Sequence, residues 1–422
     1  MSRRFCLSLF VSLVVIPAAL AGDWMQFRGP GGQGVSDDKG LPEKWSETEN
    51  IVWKTKLPGP GTSSPITVGD GIFLTCYSGY AESASDPGDQ KNLMRHLICL
   101  DRKTGAIRWR KDFKPELPES AYRAGNDGQH GYASSTPASD GKSLFVFFGK
   151  SGVFCFDLTG KQLWSRSVGA RTTGWGSATS PVLYNDLAIV NASVECGALV
   201  ALNKSDGSEA WRLPGTASAW SSPMLVEVPG GKPELVLNLA GRSSKIVGID
   251  PSTGKKLWSC AGNNDGYVCA SVVSHDGVVY AIAGRTGRSV AVKAGGTGDV
   301  KELWTSRNDS RVNSPIYYEG HLYWLNEQRG AAMCISAATG KEVYSQRVSG
   351  IGRAYASGVC ADGKIYYVTD NATTLVIAAK PKFELIATNK LADTSRTNAS
   401  PVVDNGRLLI RTDKHLYCVG KK

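Results

Sequence analysis

Helical periodicity is missing from this chain. Beyond residue 21 no stretch repeats apolar residues at intervals of three and four, which excludes helical bundles and alternating α/β folds. Histidine is scarce, 5 in 422 residues. The five are scattered, so no zinc-ligand spacing and no Ser-His-Asp set can be read from the order of residues. There is no C-x-x-C, no C-x-x-C-H haem attachment and no vicinal cysteine pair, which removes the common sequence signs of redox and haem chemistry. No apolar run after Ile16 is long enough to cross a bilayer. The net charge is +10, but Lys and Arg are spread rather than bunched. That pattern argues against a nucleic-acid partner and suits anionic surfaces, acidic glycans or an acidic protein.

What is present begins with a leader. Arg3 and Arg4 precede the apolar run Phe5–Ile16, and Ala19-Leu20-Ala21 stands before Gly22. This predicts a cleavable signal peptide over 1–21 and a periplasmic or secreted product. Sec and twin-arginine export both remain open, and with no cysteine after the cleavage point no lipid anchor is expected there. A Gly-rich N-terminal extension, 22–49, follows, and 50–422 is expected to form one domain.

That domain repeats. In Leu100–Trp109 an apolar run gives way to Asp101, a turn closing at Thr104-Gly105, and then Trp109. Asp caps the turn's N–H groups and Gly supplies its positive φ. Related turns lead to Trp164, Trp211, Trp258, Trp304 and Tyr344. The tryptophans are expected to wedge between neighbouring repeats. A second marker opens each repeat: Ser64-Pro65, Thr136-Pro137, Ser180-Pro181, Ser222-Pro223, Ser271-Val272, Ser314-Pro315, Ser357-Gly358 and Ser400-Pro401. The steps are 72, 44, 42, 49, 43, 43 and 43 residues. Such periods, with several short strands in each, predict an all-β, eight-bladed propeller of four-stranded antiparallel blades. Asp-Gly and Asn-Gly pairs, as at Asp276-Gly277 and Asn405-Gly406, read as hairpins between first and second strands. The last repeat stops at Cys418-Val419-Gly420 without a fourth strand, and Asn50–Leu57 looks like that strand. Ring closure through the N-terminal strand follows.

Cys99, Cys155, Cys334 and Cys418 share one repeat position with Ala201, Gly248 and Ala291, as expected of a tight core slot. Cys260 and Cys269 flank one loop and either form a disulfide or remain thiols.

The repeat small-x-Asp-x-x-Thr-Gly-x-x-x-Trp resembles the tryptophan-docking repeat of pyrroloquinoline-quinone (PQQ)-like propellers, over essentially the whole mature chain. That family holds quinoprotein alcohol dehydrogenases and BamB-like exported members. The resemblance implies either a non-enzymatic binding or assembly scaffold in the cell envelope or an oxidoreductase carrying PQQ and Ca²⁺. Recognition of anionic polysaccharide is a further alternative. The chain departs from BamB in lacking the lipobox cysteine, and from the dehydrogenases in lacking the vicinal cysteines. The dehydrogenases' calcium ligands and catalytic Asp match no motif here.

Strand direction puts the loops entering each first strand, and the hairpins between second and third strands, on one face. Those segments carry His130, Tyr132, Trp175, Trp220 and Tyr267 on one side, and Arg311, Arg353 and Arg396 on the other. The hairpins add Lys150, Arg242, Arg285, Arg288 and Arg329. A mouth that is aromatic on one side and cationic on the other suits a flat anion or an acidic peptide. The same residues also suit a packed channel rimmed by solvated arginines. Asp127, Asp265 and Asp309 read either as turn caps or as Ca²⁺ ligands. The long first step places surplus residues at Tyr77–Arg95 and Asp112–Gln129, on that same face and beside its arginine side. This marks it as the expected binding face.

Overall fold

The computed structural model describes residues 22–83, 85–122, 130–216, 219–241, 244–264, 266–282, 284 and 288–421. The expected leader lies outside them. Eight four-stranded antiparallel units, two of them extended by a fifth strand, form the blades of a propeller. Blade one is Ile66–Val68, Gly71–Ser78, Met94–Asp101 and Ile107–Phe113, numbered outward from the central channel. The first-to-second hairpins turn as their sequence requires, with positive φ at Asp276-Gly277, Asp362-Gly363 and Asn405-Gly406.

Ring closure is as expected. Ile51–Lys56 pairs antiparallel with His415–Val419 and becomes the outermost strand of blade eight. Its Trp53 faces Cys418 across the ladder, as Trp109 faces Cys99 and Trp164 faces Cys155. The shared Cys/Ala/Gly slot is therefore the cross-strand seat of the aromatic. A small side chain there leaves room for the indole.

Each wedge docks on the turn glycine of the next blade. A Cβ built on Gly105, Gly207, Gly254 or Gly340 would lie 2.5 Å from the indole of Trp53, Trp164, Trp211 or Trp304. The indole N–H groups of Trp164, Trp211 and Trp304 donate to Lys204, Pro251 and Ala337 carbonyls at 2.7, 3.1 and 2.8 Å. Trp258 differs. The longer turn after it supplies a short strand, Gly298–Asp299, that pairs parallel with Lys256–Ala261 as a fifth strand. The ring of Trp258 is completely buried, and its N–H donates to Glu234 Oε2 at 2.6 Å.

The Ser/Thr markers do more than open strands. The backbone N–H of Ser64 donates to Thr136 Oγ1, and that of Thr136 to Ser180 Oγ, at 2.9 and 3.0 Å. The relay continues through Ser222, Ser271, Ser314 and Ser357 to Ser400, at 2.9–3.1 Å. Seven of the eight joints between blades carry this bond. The eighth does not: Ser64 Oγ is buried and has no partner among the described residues. There Arg411 bridges blade eight to blade one, its Nη1 donating to the Ser63 carbonyl and Oγ, both at 2.7 Å. Ser222→Ala should therefore cost about 1–3 kcal/mol, the penalty for leaving the buried Ser180 N–H unpaired. Ser64→Ala should be near neutral. Paired urea unfolding curves check this, and equal effects would remove the relay's structural role.

Residues 22–49 form a strap across the lower opening. Trp24 N bonds Thr67 Oγ1 in blade one, and Met25 O accepts from Ser139 N in blade two, both at 2.8 Å. Gln33 reaches Ser274 in blade five at 3.1 Å. Arg28 donates to the Pro315 carbonyl in blade six at 2.5 Å. Val35–Ser36 then adds to the first strand of blade seven. Arg102, on the lower face, ties the strap down by pairing with Asp23 and Asp404 at 2.5 and 2.6 Å.

Candidate functional site

Above the hydroxyl relay the channel widens into a cavity of about 380 Å³, with Phe27 of the strap and the relay residues among its lining. Entry loops of successive blades wall it. His130, Trp175, Trp220 and Tyr267 line one side, and Arg311, Arg353 and Tyr355 the other.

The aromatic side is held in place. The Trp220 backbone N–H bonds Val268 O and its indole N–H bonds Gly176 O, at 2.7 and 2.8 Å, so it stitches blades three, four and five together. The rings of His130 and Trp175 lie 6.0 Å apart. Burial, and then the positive charge of Arg396, bring the His130 imidazole down to about 4, so it is neutral near pH 7. On the cationic side Arg311 Nε donates to the Tyr267 hydroxyl at 2.6 Å, which aligns its guanidinium. The Arg353 side chain is exposed and has no hydrogen bond or ion pair among the described residues. Of the two arginines that line the cavity among the described residues, it is the one without a hydrogen-bond partner.

Other expected mouth residues are placed elsewhere. Tyr132 packs with Tyr77 and Tyr80 beneath the blade-one insertions, its hydroxyl donating to Ser120 O at 2.7 Å. Arg396 is spent on Asp413 at 3.0 Å, and Arg329 on Asp309 at 3.1 Å. Lys150 donates to the Pro118 carbonyl, and Arg288 pairs with Glu302. Arg242 and Arg285 lie outside the described residues, as do Asp127 and Asp265. Asp309 is occupied by Arg329 and Asn326. No group of three His, Cys, Asp or Glu side chains suited to a metal occurs among the described residues.

Of the two alternatives left open for Cys260 and Cys269, the disulfide is absent. Cys260 is a free thiol on the fourth strand of blade four, whereas Cys269 lines the central cavity. Flanking one loop in sequence, they stand on opposite edges of the ring wall.

The two insertions grip one another. Gln90 Nε2 donates to Glu119 O, and Glu119 N donates to Gln90 Oε1, at 3.0 and 2.9 Å. A buried pair, Arg95–Glu119 at 2.6 Å, locks their bases. The second insertion leans away from the arginines: Ser120 bonds Thr172 and Thr173 in the loop entering blade three, on the aromatic side. The described parts of the two insertions thus form a rim over the aromatic wall, where Tyr80 and Leu93 are buried and Tyr132 packs against them.

Two acidic residues on this face gave no sequence signal. Glu195 and Glu327 sit in the second-to-third hairpins of blades three and six, and burial pushes both carboxyls up to about 7. Glu195 is bonded by Ser177. Both carboxylate oxygens of Glu327 are buried without a hydrogen-bond partner among the described residues.

The chain is 24% identical over 348 residues to tetrathionate hydrolase of Acidithiobacillus ferrooxidans, covering 75% of this chain and 64% of that protein. It therefore spans less than two thirds of that relative's length. Among solved structures, BamB from Moraxella catarrhalis superposes with a TM-score of 0.60 at 12% identity, covering 88% of this chain and 97% of that one. A europium-containing methanol dehydrogenase superposes with a TM-score of 0.66 at 12% identity, covering 93% and 89%. These likenesses are of fold, and the fold serves enzymes and scaffolds alike. A family model matches residues 94–346, and by that match the chain belongs to the propeller family described as outer membrane protein assembly factor BamB.

Proposed function

We propose that this protein is an exported binding or assembly scaffold of the cell envelope, taking an acidic, aromatic-containing segment of a partner into its upper mouth. One observation carries the reading: Arg353, the cavity-lining guanidinium without a hydrogen bond or ion pair among the described residues, faces a wall of fixed aromatic rings that the interlocked blade-one insertions overhang. Charge-assisted bonds to Arg353 and stacking on Trp175 supply affinity, and the overhang supplies selectivity. The family match supports an envelope location, as does the leader-like sequence.

The test uses an immobilised protein challenged with a solubilised envelope fraction. Arg353→Glu, and separately a variant with both insertions cut to the length found in other blades, are each expected to lose the captured partner by at least ~10-fold, about 1.4 kcal/mol. Arg353→Glu should melt as the parent does, whereas the shortened variant loses the buried Arg95–Glu119 pair and should stay folded but melt lower. Arg396→Glu is unsuitable, since it would break the ion pair with Asp413. Retention by both variants, with loss on altering the Asp101–Gly105 turn, would place binding on the lower face.

A second reading rests on the cavity itself. Its volume is that of a small-molecule site, and its walls suit a flat carboxylated quinone such as PQQ. The residues fit the organic group but not its cation, since no suitable acidic cluster stands among the described residues. Addition of PQQ with and without Ca²⁺ separates the readings, because a stoichiometric bound chromophore would favour the quinoprotein.

A further inference from the structure

Blade one carries a side-chain arrangement that its sequence spacing hides. Ser78 ends the second strand, His96 lies on the third and Asp112 on the fourth, with His96 paired in register to Asp112. Ser78 Oγ is 2.8 Å from His96 Nε2, and His96 Nδ1 is 2.7 Å from Asp112 Oδ1. Arg110 grips the carboxylate of Asp112 from outside at 2.8 and 2.9 Å. The imidazole is buried, whereas Ser78 is half-buried and Asp112 exposed.

We propose that Ser78, His96 and Asp112 form a nucleophilic triad that accepts the acyl group of a small ester. The order of contacts fixes each role. With its Nδ1–H donated to Asp112, His96 has a lone pair at Nε2 for the Ser78 proton. Burial lowers the imidazole's basicity and the Asp112 hydrogen bond restores part of it. Attack of Ser78 Oγ on the ester carbonyl forms the C–O bond while its proton passes to His96 Nε2. Collapse expels the alcohol, which takes that proton and leaves an acyl-serine. Water then attacks, giving its proton to His96, and the carboxylic acid departs as Ser78 recovers the proton.

A second observation points to the oxyanion position. The backbone N–H of Gly79, next to the nucleophile, donates to Glu82 Oε1 at 2.5 Å. A carboxylate oxygen thus occupies the place where an acyl oxyanion would be received. Glu82 belongs to the first insertion, so the resting site is capped by its own loop. The acyl group must be small, because the Gly59 backbone closes on the strand end: a Cβ there would lie 1.9 Å from Tyr77 O and 3.5 Å from Ser78 Cβ. This site is separate from the channel mouth and does not depend on its ligand.

The experiment treats the full chain with a fluorophosphonate probe and with p-nitrophenyl acetate, and maps the adduct by peptide mass spectrometry. Labelling at Ser78 is expected, with Glu82→Ala faster than the parent. Asp112→Asn and His96→Gln should slow it by about 10²-fold or more, the usual contribution of a positioned base. If His96→Gln fails to fold, Asp112→Asn, at an exposed position, still decides. Failure to label Ser78 in both the folded parent and Glu82→Ala would overturn the proposal. So would labelling that persists undiminished in folded Asp112→Asn.

Discussion

Trp258→Ala is expected to destabilise the propeller by about 3–5 kcal/mol, the range for a large aromatic removed from a core. Two losses combine. The indole is completely buried between Gly248 and the added strand Gly298–Asp299, and its N–H is a partner of the buried Glu234 carboxylate. Glu234 would keep the Gly295 N–H at 3.1 Å but lose the shorter bond. Trp211→Ala should fall at the lower end of that range, because its ring is only half-buried. The docking surface offers an independent check. Gly254 has φ of 73°, and a Cβ would meet the Trp211 ring at 2.5 Å, so Gly254→Val should be as damaging as loss of the ring. Chemical unfolding of the three variants measures this, and near-neutral values would mean that the blades are not locked by these wedges.

Deletion of residues 22–57 is expected to have the largest effect of all. It strips the outermost strand from blade eight and bares the backbone edge of His415–Val419. It also removes the strap that ties blades one, two, five, six and seven together below the channel. Aggregation or a collapse in soluble yield should follow. Deleting only 22–46 separates the two causes: the ring keeps its closing strand, so the protein should stay soluble and melt at a lower temperature. A 22–57 deletion that melts like the parent would refute closure by the N-terminal strand.

Much of the fold was legible because a propeller writes its geometry as local repeats. The Asp-x-x-Thr-Gly turn, the aromatic after it and the small residue opposite are all set by contacts within a hairpin or to the next blade. The cysteines at 99, 155, 334 and 418 could be placed for that reason. Trp258 broke the pattern because its cover comes from a turn in the following blade. The serine markers were visible but their bonding was not, since each hydroxyl's partner lies 42 to 72 residues away. At the mouth, sequence reasoning could assign a face but not a neighbour. Tyr132 turned aside to meet Tyr77 and Tyr80, and Arg396 and Arg329 had acidic partners on other loops. Ser78, His96 and Asp112 stand 18 and 16 residues apart, and only the pairing of three strands brings them into line.

The hydroxyl relay has a direction and an end. Every joint but one is clasped the same way, and the joint without a clasp is the one where the first and last parts of the chain meet. The relay is thus an open arc laid inside a closed ring. The joint it leaves unclasped is held by other means: Arg411 bonds Ser63 twice, the Trp53 ring seats on Gly105, and Arg102 pairs with Asp404. The two ends of the chain thus meet at a joint whose chemistry differs from that of the other seven, and the insertions belong to the blade on one side of it.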